Sequence, residues 1–180
     1  VDSIKSLLIH RGPDEQSSYN YKNLNLIHTR LSIQDFQNGS QPIEIGNYVI
    51  IFNGEIYNHL KLRDMVSNYS FKTQSDTETF LALYIDYGLD AFSLCDGMFA
   101  FAILNKSTNK LNLGRDRAGK KPLYYYKAKK IFAFASELNA IKSCDERIQI
   151  NEDEIYSYIR NGFFCLDKTP FHNIYEVPPG

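Results

Sequence analysis

Two stretches of this chain are continuous in apolar, β-prone residues. Tyr48–Phe52 and Met98–Leu104 lack the polar alternation of a half-exposed strand, so each predicts a strand that is covered on both faces. Asn25–Ile33 reads as a strand with polar interruptions. Gly54 is predicted to end the strand that begins at Tyr48.

The second half of the chain alternates short apolar runs with turn residues. Residues 110–114, 123–127 and 131–135 predict further strands, and the polar stretch 105–109 reads as a turn between the first of these and Met98–Leu104. A short polar connection between two strands favours an antiparallel hairpin. We therefore expect antiparallel sheets after Gly97.

Helices are predicted where apolar residues recur every three to four positions, over residues 4–8, 58–66, 75–88, 137–142 and 152–160. Ser75 and Glu78 have the spacing of a capping box, in which the serine hydroxyl and the glutamate carboxylate both accept hydrogen bonds from free backbone N–H groups. Gly88 is placed to end this helix. The order of helices and strands favours an α+β fold over repeated βαβ units.

Composition narrows the class of protein. The chain has 180 residues, 20 basic and 21 acidic, so one domain is expected, with no bulk charge to steer it onto nucleic acid or a membrane surface. The longest apolar run, residues 98–104, is far shorter than the roughly 20 residues of a membrane span. The first residues have no basic segment typical of a secretory leader. We therefore expect a cytoplasmic protein. Cys95, Cys144 and Cys165 are spaced too widely for a paired zinc site or a disulfide framework, which predicts free thiols and no metal.

Six motifs follow one another in a characteristic order: His10–Asp14, Arg30–Ile33, Asn53–Asn58, Ser75–Glu78, Gly97–Phe101 and Arg115–Tyr125. In this order the chain resembles class II glutamine amidotransferase domains, and the glutamine-hydrolysing asparagine synthetases in particular. The resemblance extends from about His10 to Glu137. It implies the N-terminal-nucleophile hydrolase fold, a four-layer αββα sandwich of two antiparallel sheets between helices.

The resemblance also implies roles for individual residues. Arg30 would bind the α-carboxylate of glutamine, with Leu31 and Ile33 lining the same pocket through their main chain. Glu55 and Asp76 would hold the α-ammonium group. Asn53, through its side-chain amide, and Gly54, through its backbone N–H, would form the oxyanion hole.

Without the resemblance, each of these residues has a simpler explanation. Arg30 alone would be interpreted as a solvated ion-pair partner, and Asp76 as a residue that favours the positive end of its helix. Asn53-Gly54 alone would be interpreted as a turn. His10–Asp14 is expected to be structural, and Cys95 to fill the core rather than act as a nucleophile.

The resemblance leads us to expect a nucleophilic cysteine at the first position, followed by Gly-Ile in a central strand, whereas the sequence printed here begins with Val1. The 180 residues by themselves are therefore expected not to hydrolyse glutamine. Two explanations stay open: a piece of a longer enzyme without its first strand, or a relative of the β-lactam synthetase kind that keeps the domain as a scaffold. A third hypothesis is a module that binds glutamine without turnover, and an amidotransferase for another acceptor is a further alternative.

At the other end, the resemblance implies a continuation. Residues 137–180 would lead toward an ATP-dependent synthetase domain, which would bind ATP and magnesium and use the released ammonia to convert aspartate into asparagine. The pyrophosphate loop of that domain is absent from this sequence, so no cofactor is expected in these residues. The expected partners are L-glutamine and the synthetase domain of the same protein, with neither nucleic acid nor membrane.

Overall fold

The computed structural model of this protein describes residues 2–180, and they form six α-helices and nine strands. The helices are α1 (Asp2–Leu8), α2 (His59–Arg63), α3 (Asp76–Tyr87), α4 (Ala91–Leu94), α5 (Leu138–Lys142) and α6 (Glu152–Asn161). The strands are β1 (Glu15–Tyr21), β2 (Leu24–Arg30), β3 (Ile43–Ile45), β4 (Tyr48–Ile56), β5 (Gly97–Asn105), β6 (Lys110–Arg115), β7 (Tyr124–Lys127), β8 (Phe132–Ala135) and β9 (Ile174–Glu176).

The strands form three antiparallel sheets. β3, β4, β5 and β6 are neighbours in that order in the largest sheet, β1 pairs with β2, and β7 lies between β8 and β9. The two smaller sheets share one layer, which faces the four-stranded sheet. The predicted hairpin β5–β6 is present, with Asn105 opposite Lys110.

Strands β4 and β5 are buried on both faces, as the sequence predicts. On one face, Phe52 and Phe101 pack against Phe80 of α3, with ring centroids 5.8 and 5.1 Å from the Phe80 ring. On the other face, Val49 and Leu104 pack against Leu26 of β2. Aromatic rings in tilted and edge-to-face contact, together with branched side chains, supply most of the apolar area buried in such a core.

Helices cover the outer faces of both layers of strands. α2 and α3 lie on the four-stranded sheet, and α1 and α5 lie on the smaller sheets, where Ile141 of α5 packs with Tyr126 and Ile174. The order of layers is helices, sheet, sheets, helices, so the predicted α+β class with an αββα sandwich is confirmed. The second layer is divided into two sheets by a gap between β2 and β8.

Candidate functional site

The Asn53-Gly54-Glu55 sequence lies inside β4, not after it. β4 runs from Tyr48 to Ile56, and Asn53 and Gly54 pair with Ala100 and Phe99 of β5. The prediction that Gly54 ends the strand is therefore wrong, and so is the interpretation of Asn53-Gly54 as a turn. Hydrogen bonding to β5 continues the strand through Asn53-Gly54, a dipeptide that usually forms a turn.

Gly54 is required here by close approach of the backbones. A Cβ atom at residue 54 would lie far inside van der Waals contact with the carbonyl oxygen of Met98, and the φ angle of Gly54 is +153°. Side chains larger than hydrogen do not fit between the two paired strands at this point. The glycine thus keeps β4 and β5 in register beside Asn53 and Glu55.

Arg30, the last residue of β2, is buried. Its guanidinium donates from Nη1 to Glu15 Oε2 at 3.4 Å, and from Nη2 to the carbonyl oxygens of Gln34 and Asp35 at 3.0 and 2.8 Å. The interpretation of Arg30 as a solvated surface residue is therefore wrong. Three hydrogen bonds are made by a group that has five N–H donors.

The loop after Arg30 leads from β2 to β3 and contacts β4 on the way. Leu31 and Ile33 expose more than half of their side chains, and the side-chain amide of Gln34 donates to Glu55 Oε1 at 2.8 Å. Since the Gln34 carbonyl also accepts from Arg30, one residue joins the arginine to the glutamate.

Asp35 anchors the other side of this loop to the segment before α3. Its Oδ2 accepts from the backbone N–H of Gln74 at 2.7 Å, and its Oδ1 accepts from the backbone N–H of Asn38 at 3.1 Å. The hydrogen bond from Gln74, together with those from Asn38, holds the pKa of the Asp35 carboxyl below its usual range.

Asp76, the first residue of α3, is buried at the end of β4. Its Oδ2 accepts from the backbone N–H of Ile56 at 2.8 Å. Burial raises the pKa of Asp76, and this outweighs the opposing effect of the hydrogen bond. Burial also lowers the pKa of nearby His59, although the negative charge of Asp76 acts in the opposite direction and favours the protonated ring. Asp76 therefore joins the helix to the strand that carries Glu55.

The start of α3 confirms half of the predicted capping box. The Ser75 hydroxyl accepts from the Glu78 backbone N–H at 3.3 Å. The Glu78 carboxylate does not return to Ser75: it accepts from the Tyr69 hydroxyl at 2.6 Å and from the backbone N–H groups of Lys72 and Thr73 at 2.9 and 2.7 Å. The glutamate thus stabilises the loop before the helix, because that loop presents three partly buried donors to its carboxylate.

Asn53 lies apart from these contacts. Its side chain lines a groove of about 380 Å³ between β2 and β8, and its amide forms no hydrogen bond with residues 2–180. Arg30, Glu55 and Asp76 do not line this groove. The predicted site residues therefore fall into a connected group around the end of β4 and an amide that faces the groove.

One residue of this region was not recognised from the sequence. His28 also lines the groove; its Nε2 lies 3.1 Å from the carbonyl oxygen of Phe52, next to Asn53, and its Nδ1 is buried with no partner among residues 2–180. Burial lowers the pKa of His28 to about 4. No spacing signal in the sequence could have indicated this, because the burial comes from strands distant in the chain.

The remaining candidate groups have structural contacts. His10 Nε2 and Arg11 Nη1 lie 2.7 and 3.4 Å from Glu137 Oε1, in agreement with a structural role for this motif. Cys95 is buried, and burial raises the pKa of its thiol to about 12, as expected for a core residue. We expected a nucleophilic cysteine at the first position, where this sequence has Val1. Val1 lies outside the residues that the structure describes.

Residues 2–180 contain no cluster of three or more His, Cys, Asp or Glu side chains arranged to hold a metal ion. Among the helices described, none has both the length and the apolar character needed to cross a membrane.

Comparison with known proteins identifies similar sequences over the whole chain. Residues 1–180 match the family described as glutamine amidotransferase domain. The chain is 38% identical to the glutamine-hydrolyzing asparagine synthetase 1 of Bacillus subtilis, with all of this chain and 29% of that protein covered. It is 33% identical to a putative glutamine-hydrolyzing asparagine synthetase 2 of Methanocaldococcus jannaschii, with 98% of this chain and 39% of that protein covered. The chain thus spans well under half the length of these relatives.

A solved structure shares the fold. The glutamine phosphoribosylpyrophosphate amidotransferase of B. subtilis, in complex with ADP and GMP, aligns with a TM-score of 0.56 at 22% identity. The alignment covers 66% of this chain and 28% of that one. At this level of identity the likeness concerns the arrangement of helices and sheets.

Proposed function

The chain belongs to the glutamine amidotransferase domain family, and on this premise we propose that it is the glutaminase domain of a longer glutamine-hydrolysing asparagine synthetase. The domain would release ammonia from L-glutamine for the ATP-dependent amidation of aspartate. One observation carries the proposal: Arg30, Gln34 and Glu55 form a hydrogen-bonded path to the end of β4, where Asp76 binds the neighbouring backbone N–H.

In this proposal, opposite charges bind the two ends of glutamine. The α-carboxylate binds the guanidinium of Arg30, which keeps two N–H donors beyond those used by Glu15, Gln34 and Asp35. The α-ammonium binds Glu55 and Asp76. The main chain of Leu31 and Ile33 lines the pocket, since their side chains point away from the core.

The chemistry then requires a thiol, which we assign to a cysteine outside residues 2–180. Its sulfur attacks the carboxamide carbon, and its proton passes to an α-amino group, which titrates near 8 and can serve as the base. Asn53 and the N–H of Gly54 stabilise the oxyanion, ammonia leaves with the transferred proton, and water hydrolyses the thioester to glutamate. Loss of one oxyanion donor typically lowers the rate by about 10²–10³.

The remaining steps belong to a second domain. Residues 137–180 would lead into the synthetase domain of the same polypeptide, which would bind ATP and Mg²⁺; we assign no cofactor to the 180 residues themselves. The lengths of the relatives, of which this chain covers 29% and 39%, support a further domain. We place the protein in the cytoplasm.

The test is a gain of activity. A Cys-Gly-Ile segment is added in front of residue 1, with initiator methionine removed, and glutamate and ammonia release are measured. Turnover is expected with cysteine and none with serine at the same position. Glutamine affinity, measured by calorimetry, should fall at least tenfold in Arg30→Ala and stay unchanged in Arg160→Ala, a matched arginine in α6.

Two outcomes contradict the proposal. If Arg30→Ala binds glutamine as well as the parent chain, the clamp is wrong. If glutamine binds through Arg30 but no extension that begins with cysteine produces ammonia, the domain is a glutamine-binding scaffold rather than a glutaminase.

A further inference from the structure

Residues 72–75, here called the 72–75 segment, connect two parts of the proposed glutamine clamp. The backbone N–H of Gln74 donates to Asp35 Oδ2 over 2.7 Å, and the carbonyl oxygen of Asp35 accepts from the guanidinium of Arg30 over 2.8 Å. The segment ends directly before Asp76, the first residue of α3. Its position therefore bears on both the arginine and the aspartate that are proposed to bind the two ends of glutamine.

Arg63 of α2 binds the carbonyl side of this segment. Its Nη2 donates to the carbonyl oxygens of Thr73 and Ser75 over 2.9 and 3.1 Å, and its Nε donates to the hydroxyl of Thr79 over 2.9 Å. The central carbon of the guanidinium lies 4.4 Å from the centre of the Phe71 ring. A planar group that binds two carbonyl oxygens and stacks on a ring fixes their direction as well as their distance, which a lysine ammonium does not.

Glu78 of α3 binds the opposite side of Thr73. Its carboxylate accepts from the backbone N–H and from the hydroxyl of Thr73, in both cases over 2.7 Å. The same hydroxyl accepts from the backbone N–H of Ser75 over 3.1 Å. Hydrogen bonds to charged groups are stronger than those between neutral groups. Since a base on α2 and an acid on α3 hold Thr73 between them, the two helices set the position of the 72–75 segment.

Asp35 has a backbone conformation that needs external support. Its φ angle is +44°, in the left-handed region that residues other than glycine seldom adopt. Such a conformation persists where the surrounding contacts hold it. Within its own loop, Asp35 accepts from the backbone N–H of Asn38 over 3.1 Å, and the N–H of Gln74 supplies a contact from the segment before α3. The carbonyl that receives Arg30 is therefore held in part by the 72–75 segment.

We propose that Arg63 is a positioning residue for glutamine binding: through the segment before α3 it fixes Asp35, and thereby the guanidinium of Arg30. Arg63 does not touch the substrate in this proposal. It sets the direction of the Gln74 N–H, which holds the loop whose carbonyl groups orient Arg30. The effect on glutamine binding rests on the proposed function, whereas the mechanical link from Arg63 to Arg30 does not.

The first experiment needs no ligand. In the ¹⁵N-labelled 180-residue chain, Arg63→Lys keeps the positive charge but loses the planar fork, so the Gln74 amide and the Arg30 side-chain Nε–H resonances should both move. Arg160→Lys, at an exposed arginine of α6, is the matched control and should move neither. If the Gln74 amide moves and the Arg30 resonance does not, Arg63 only orders its own loop and the proposal is overturned. Phe71→Leu removes the ring beside the guanidinium but none of its hydrogen bonds; it should move both resonances by less, and it decides the question if Arg63→Lys does not fold.

The second experiment separates positioning from stability. Glutamine affinity is measured by calorimetry in the parent chain, Arg63→Lys, Asp35→Ala and the double variant, at a temperature where circular dichroism shows each to be folded. Each single substitution should weaken binding about tenfold, and the double variant should bind within about twofold of the weaker single variant, because both substitutions break the same path. Losses that multiply in the double variant overturn the proposal, and so does a lower melting temperature with unchanged affinity. Arg160→Lys should bind as the parent chain does.

Together the two experiments distinguish failure of this inference from failure of the proposed function. If the parent chain binds no glutamine, the proposed clamp fails and the binding role of Arg63 fails with it, whereas the resonances still decide whether Arg63 holds Arg30 in place. If the parent chain binds glutamine through Arg30 and Arg63→Lys binds it equally well, the clamp stands and the positioning role is overturned. Weaker binding in both single variants, with no further loss in the double variant, supports both.

Discussion

The carboxylate of Asp76 accepts a hydrogen bond from the backbone N–H of Ile56 over 2.8 Å, and this bond joins the first residue of α3 to the last residue of β4. Both groups are buried. The same carboxylate is proposed to bind the glutamine ammonium, so its structural role and this proposed binding role can be measured separately.

Substitution of Asp76 should separate these two roles. Asp76→Ala leaves the Ile56 N–H unpaired and should lower the free energy of unfolding by about 1–3 kcal/mol. Asp76→Asn keeps an amide oxygen as acceptor and should lose less than half as much, yet it should weaken glutamine binding as strongly as alanine because the charge is gone. Urea unfolding and calorimetry measure the two effects. Equal destabilisation by both substitutions would show that the hydrogen bond is unimportant.

Stability should increase with pH between about 4 and 6.5 because of His28. Burial holds its folded pKa at about 4, against 6.5 for a free imidazole, so over this range the unfolded chain binds a proton that the folded chain does not. Protonation therefore favours unfolding as the pH falls, by at most about 3 kcal/mol at 1.36 kcal/mol per pKa unit. The measurement is the difference in unfolding free energy between the parent chain and His28→Asn as a function of pH. A difference that does not change between pH 4 and 6.5 would contradict the buried, neutral state.

Alanine at Gly54 should be poorly tolerated. The added methyl group would collide with the Met98 carbonyl oxygen across the β4–β5 pair, so we expect a loss of about 2–4 kcal/mol in unfolding free energy. Gly46 is a useful comparison, since its φ is +57° but a Cβ atom there would meet nothing within 4 Å. Gly46→Ala should cost only about 1 kcal/mol. If both variants unfold at the same denaturant concentration, close approach at Gly54 is not the cause.

Removal of the Glu78 carboxylate should unfold the loop that precedes α3. Burial opposes the charged form, but hydrogen bonds from Tyr69, Lys72 and Thr73 together lower the pKa of Glu78 below its usual range. Glu78→Ala leaves these partly buried donors without their acceptor and should lower the free energy of unfolding by about 2–4 kcal/mol. Thermal and urea unfolding would measure it. Asp86→Ala, at an exposed position on the same helix, is expected to stay within about 0.5 kcal/mol of the parent.

Several elements could be predicted from local sequence. The buried strands β4 and β5 and the amphipathic helices follow from runs and periodicities of apolar residues within a few positions of one another. Gly88 ends α3 as predicted, with its N–H bonded to the Tyr84 carbonyl. Three strands were not predicted: β1, β3 and β9. In the first, five of the seven residues are Glu, Gln, Ser or Asn, and the other two strands have three residues each. These strands form because a neighbouring strand offers them hydrogen-bond partners.

The candidate site also contains residues that the sequence identified and contacts that it could not predict. The order of the motifs identified Arg30, Leu31, Ile33, Asn53, Gly54, Glu55 and Asp76, and their roles stay predictions. The path through Gln34, the anchoring of Asp35 to Gln74 and the buried state of His28 could not be predicted. Each depends on contacts between residues more than 20 positions apart.

The sequence by itself determined the buried strands β4 and β5, most of the helices, and which side chains are available for chemistry, because these properties depend on neighbours along the chain. Only the tertiary structure decided that β4 continues through Gly54, that Arg30 is buried, and that the edges of β2 and β8 that face each other have no strand partner within residues 2–180. The physical reason is that hydrogen-bond partners and burial are set by segments that meet only after folding.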